Sequence, residues 1–168
     1  MKARGLGLSL SGDLERLAVL RGCQYYQTEP ASQLEEVSAV DHLSEIGDTH
    51  FTNVELAMAL LSPSLPKSQV RLRLGAAMLA ADGNQVDAIV RFARHERSES
   101  IVRHIAECGH RVEPDNVFWS ELLAALPNFQ AKSDVLPHIS RFVAMTGVTQ
   151  RGLETVMQWV RPVVHSRN

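Results

Sequence analysis

The sequence predicts a mainly α-helical chain: a compact multi-helix domain with a C-terminal β-hairpin, α+β in the strict sense. Two almost uncharged stretches, "VELAMALL" and "LGAAMLAA", follow recognisable helix-start signals. A third stretch, "QVDAIVRFARHER", carries the i, i+3, i+4, i+7 stripe of an amphipathic helix. After Lys132 the composition turns to β-branched residues, among them Val143, Thr146, Val148, Thr155, Val156 and Val160. The expected organisation is a flexible terminus over 1–11 and one globular domain over 12–168. Within it, the helical core covers about 12–127 and the β-rich tail about 136–164.

Taken in order, a short helix is expected from Asp13 to Arg21. Its acids stand at the start and its arginine at the end, matching the macrodipole, and Gly22 closes it. "CQYYQTEPA" reads as a loop, and Ser32 with Glu35 has the spacing of a capping box opening a further helix. Thr52 and Glu55 form a second capping box, and Pro63 and Pro66 stop the helix that it starts. Ser68 opens the next helix, over about 68–82. Between Leu74 and Ala81 that helix has no polar side chain, so it must be enclosed by protein, and Gly75 allows close approach of a neighbour.

"DGN" is then a tight turn, with Asn84 expected to cap the helix that follows. Val86, Ile89, Val90 and Ala93 form the inner face of that helix; Arg91, Arg94 and His95 project outward. A helix over Glu99–Cys108 should end at Gly109 in the left-handed conformation. The last helix is framed by Asp115 and Pro127, with Phe118, Trp119, Leu122 and Leu126 on its buried side. "TGVTQRG" reads as the turn between strands near 139–145 and 153–161. A final helix competes with this reading, because Leu153, Val156, Met157 and Val160 also fit a helical stripe. Helices of this length in succession suggest a HEAT-like stack, but no self-similar pair of segments is present, so no repeat is read.

Composition narrows the class. At 45% hydrophobic and 21% charged residues the chain is globular. A net charge of −2 exerts no overall pull toward nucleic acid or anionic lipid. The charge is uneven, however: −5 over 1–60, +3 over 61–111, −3 over 112–131 and +3 over 132–168. No stretch approaches the roughly 18 continuous apolar residues of a membrane span. The opening residues lack the apolar core of a signal peptide, and two cysteines make a weak case for a disulfide. A soluble, cytoplasmic protein is expected.

The segment "ESIVRHIAECGHRVEP" gathers His104, Cys108 and His110 just after His95. At 100° per residue, Ile101, Ile105 and Cys108 fall within about 60° of one another, which puts Cys108 on the apolar face. His104 and Cys108, one turn apart, are the only weak candidates for metal ligands. A structural zinc site needs four ligands, and no other residues have matching spacing, so neither metal nor cofactor is expected. "GLGLSLSG" lacks the lysine of a phosphate loop, and no "GxSxG" context supports a nucleophile. No catalytic residue is named.

Two binding classes are then weighed, with an enzyme of unknown class as a third possibility. The lead is a non-catalytic binding or scaffolding module whose partner is a protein or a second copy of the chain. Trp159, with Arg151 and Arg161 nearby, has the residue types that dominate interfaces. The alternative is a winged-helix-like DNA-binding regulator. In it Asn84 and Gln85 would read bases, Arg91, Arg94 and Arg97 would hold phosphates, and Arg141 and Arg151 would serve the wing. The expected binding residues are therefore Arg91, Arg94, His95, Arg151 and Trp159.

Overall fold

Helix-start chemistry explains most of the architecture. A computed structural model describes residues 3–23, 51–66, 68–128, 143–149 and 152–162, with backbone alone for 3–11, 143–149 and 152–158. The helix expected from Ser32, the loop after Cys23, and the start of the first expected strand lie outside the described residues. The described residues are mainly helical: α1 (Ala3–Leu20), α2 (Asn53–Leu61), α3 (Gln69–Leu79), α4 (Val86–His95), α5 (Glu99–Val112) and α6 (Val117–Ala125). Extended backbone follows at β1 (Val143–Thr149) and β2 (Gly152–Trp159), running antiparallel with Val143 opposite Trp159. No helix among the described residues is long and apolar enough to cross a membrane.

α1 starts at Ala3, well before Asp13, and takes in most of the segment expected to be loose. The glycines at 5, 7 and 12 each weaken a helix interior by about 1 kcal/mol. Propagation from an anchored segment nevertheless gains one hydrogen bond per residue fixed, so the helix extends backward. Its end is as expected. Gly22 adopts φ 85°; its N–H donates to the Val19 carbonyl and that of Cys23 to the Ala18 carbonyl, the paired bonds of a Schellman motif.

The Thr52–Glu55 capping box closes in both directions, at 2.8 Å to the Thr52 N–H and 3.2 Å from the Glu55 N–H. Ser68 accepts from the Arg71 N–H and caps α3. Both nearly uncharged stretches are buried, Val54–Leu61 apart from the edge residues Glu55 and Ala59, and Leu74–Ala81 throughout. Gly75 lets α2 and α3 approach closely: a Cβ there would sit 2.7 Å from Leu61 Cδ2.

Two expectations about turn residues are corrected. Asn84 does not cap α4. Its amide donates at 2.9 Å to the carbonyls of both Met78 and Leu79, so it closes the end of α3 instead. Gln85 stands at the α4 N-cap and makes no side-chain cap bond. Gly109 does not end α5, which continues to Val112. It lies inside the helix because the indole of Trp119 covers it; a Cβ would be driven into the ring, 2.5 Å from Cδ2. A glycine needed for close packing has been read as one needed for a left-handed turn. The left-handed position is Arg97, at φ 55°. It ends α4 through bonds from the Arg97 and Ser98 N–H groups to the carbonyls of Arg94 and Ala93.

Consecutive helices pack in pairs, α1 on α2, α2 on α3, α4 on α5 and α5 on α6. Next-but-one helices also pack, α1 on α3, α2 on α4 and α4 on α6. The helices fall into two mutually packed trios, α1–α3 and α4–α6, joined where α2 meets α4, and share one core, which runs from Leu14 and Leu17 through Leu56, Met78 and Ile89 to Ile105, Trp119 and Leu122.

Candidate functional site

The His104–Cys108 pair is placed as the helical wheel requires. Cys108 is 3% exposed, its Sγ 3.7 Å from His104 Nε2. Burial pushes the thiol up to about 11; Arg111 opposes that rise and Glu107 adds to it. A thiol so held is protonated near neutrality, which lowers its nucleophilicity. Cys23 lies beside Met78 Sδ at 3.2 Å, pushed up to about 12 by burial against the opposing charge of Arg21. Among the described residues, no three or more His, Cys, Asp or Glu side chains are placed to hold a metal ion.

Arg91, Arg94 and His95 project from α4 into solvent. The His95 side chain is 83% exposed, with Nδ1 3.3 Å from Glu96. The Arg91 guanidinium sits 5.3 Å from the centre of the Phe92 ring. At the other end of α4 the expected base-reading amides are engaged, Asn84 on α3 and Gln85 on the Gly83 carbonyl at 3.2 Å. Arg141 and Arg151 lie outside the described residues.

Trp159 is not displayed at the surface. It is 2% exposed and packs edge-on against Trp119, ring centres 5.0 Å apart; Trp119 in turn meets Phe118 at 4.9 Å. Beside this aromatic stack lies a polar cluster centred on Glu113, just past the end of α5. Its carboxylate accepts from Trp119 Nε1 at 2.8 Å and Asn116 Nδ2 at 2.9 Å. It also accepts from both Arg161 terminal nitrogens at 2.6 Å. These bonds, led by those of Arg161, hold the carboxyl down to about 2 against the opposing effect of burial. The cluster ties the C-terminal segment to α5 and α6. Sequence reasoning missed Glu113; the only hint was an acid beside Pro114 just after a helix.

The other buried polar groups also join segments. Arg21 reaches Asn53 Oδ1 at 2.8 Å and the Phe51 carbonyl at 2.5 Å, fixing the end of α1 to the start of α2. Arg103 on α5 donates to the carbonyls of Leu123, Leu126 and Pro127 and so caps α6. Arg71, 3% exposed, reaches back to the Leu65 carbonyl at 3.3 Å.

An open groove of about 580 Å³ lies where the head of α4 meets α6. Val86, Phe118, Ala124 and Ala125 supply its apolar lining, and Asp87 and Glu121 its charge. The carboxylates come from different helices, so spacing along the chain gave no sign that both line one groove. Searches against family models, curated proteins and solved structures find no match to this chain.

Proposed function

We propose that this chain is a non-catalytic binding or scaffolding module that engages a protein partner through the outer surface of its helical domain. The observation that carries this reading is the division of labour among polar side chains. Arg21, Asn84, Arg103, Glu113 and Arg161 are spent on joining one segment to another. The groups left facing outward, Asp87, Arg91, Arg94, Arg97 and Glu121, sit exposed on α4, its C-terminal turn and α6. The antiparallel register of β1 and β2 supports reading the tail as a hairpin appended to the helical domain. Two free, buried thiols fit a reducing, cytoplasmic setting.

DNA binding is the second reading. It draws on Arg91, Arg94 and Arg97, which share the exposed side of α4 and its terminus. It is weakened at the end of the helix that would read bases, where Asp87 is exposed and the amides of Asn84 and Gln85 are engaged. Fluorescence anisotropy with labelled duplex DNA separates the two. A protein-binding module predicts no retention at moderate salt. Tight binding that weakens steeply as salt rises would overturn it in favour of DNA. Sedimentation velocity over a wide concentration range shows whether the protein bound is a second copy.

A further inference from the structure

We infer that the groove between the head of α4 and the outer face of α6 receives a basic, apolar-anchored segment of a partner polypeptide. This inference deepens the proposed binding function and rests on it. Val117, Glu121 and Ala124 stand at i, i+4 and i+7 and share one face of α6. All three are exposed, Val117 at 63%, the highest value among the large apolar residues described. Across the groove, the first turn of α4 contributes Val86 and Asp87. The Asp87 and Glu121 side chains are exposed, and neither has a hydrogen-bond or ion-pair partner among the described residues.

Two exposed carboxylates without partners, set among Val86, Phe118, Ala124 and Ala125 along one open groove, favour a cation that also carries apolar surface. The apolar lining from Val86, Phe118, Ala124 and Ala125 suits the methylene stem of an arginine or lysine, or a neighbouring leucine. The first-turn N–H groups of α4 have no side-chain cap. They offer donors to the backbone carbonyls of an extended chain. A metal ion or a polyamine has no carbonyl to place there, which points to a polypeptide.

The test uses the full chain and a short fluorescein-labelled peptide of arginine, leucine and serine. Matched peptides carry glutamate in place of arginine, or serine in place of leucine. The arginine–leucine peptide is expected to bind saturably and both controls at least about tenfold more weakly. The double variant Asp87→Lys/Glu121→Lys, and separately Ala124→Arg, should each lower affinity by at least about tenfold, while Arg91→Glu should not weaken it. Far-UV circular dichroism confirms that the variants fold. Absence of binding, or equal binding by wild type and the groove variants, overturns the groove assignment. Steeply salt-dependent binding to duplex DNA without peptide binding overturns the proposed function itself; peptide binding that ignores the groove variants overturns only its location.

Discussion

Both terminal nitrogens of Arg161 donate to the carboxylate of Glu113 at 2.6 Å, across a chain separation of 48 residues. The pair sits next to the contact between Trp119 and Trp159, and Glu113 also accepts from the Trp119 indole. A bidentate pair with a fixed geometry therefore coincides with an aromatic stack, and together they register the end of β2 against α5 and α6.

The first prediction concerns acid. The folded carboxyl of Glu113 lies at about 2, below its ordinary value of 4.5. A carboxyl depressed on folding contributes stability that is fully present above the unfolded value and is lost as pH falls through the folded one. Urea denaturation followed by tryptophan fluorescence should show stability declining between roughly pH 4.5 and 2. Glu113→Gln should cost on the order of 1–3 kcal/mol at pH 7, allowing for partial exposure of the pair, and should flatten that decline. In Arg161→Met, a second substitution at Glu113 should cost much less than it does in the wild type.

Gly109 gives a test of packing. Alanine is the better helix former by about 1 kcal/mol, so an exposed interior position would gain from Gly109→Ala. Here the added methyl meets the rigid indole of Trp119, not the end of a flexible side chain. Overpacking of this kind costs about 1–3 kcal/mol. The expected result is a net loss in urea denaturation together with a changed near-ultraviolet dichroism of the tryptophans. A stabilised protein with unchanged dichroism would show that the ring does not lie over the helix.

Legibility followed distance along the chain. The Thr52–Glu55 box, the Ser68 cap and the Ile89–Val90–Ala93 face were readable because each joins residues within four positions, where helix geometry fixes the neighbours. Asn84 was ambiguous because an amide between two helices can serve either, and the choice depends on how the turn at Gly83 folds. Gly109 was misread because a glycine near a helix end looks the same whether it bends the backbone or makes room for a ring. The Glu113–Arg161 pair and the Asp87–Glu121 groove needed the tertiary fold, since nothing local selects one acid among many. Trp159 was picked out for its residue type, which suits an internal anchor as well as an external one.

The cysteines offer a check on the core. With the Cys108 thiol pushed up to about 11 and that of Cys23 to about 12, both are protonated and shielded near neutrality. A disulfide reagent added to native protein at pH 8 should label neither on the timescale on which it labels free cysteine. In urea both should react at once. Rapid labelling of Cys108 in native protein would mean that the α5–α6 interface opens easily, and would restore His104 and Cys108 as a reactive pair.

Arg97 and Gly22 occupy the same position in two copies of one motif, and they differ in cost. Both residues have positive φ, 55° and 85°, and each sits between the two N–H donors of its Schellman motif. Glycine adopts this conformation without penalty, whereas a side chain adds roughly 1–2 kcal/mol through its Cβ. Arg97→Gly relieves that strain but gives the unfolded chain more freedom, which offsets part of the gain. The net expectation is stabilisation by about 0.5–1 kcal/mol, seen as a raised urea midpoint with an unchanged slope. Gly22→Arg, the reverse exchange, should destabilise by a similar or larger amount. If Arg97→Gly instead lowers the midpoint, the arginine side chain makes a stabilising contact larger than the backbone strain, and its exposed position on the α4–α5 turn would need another explanation.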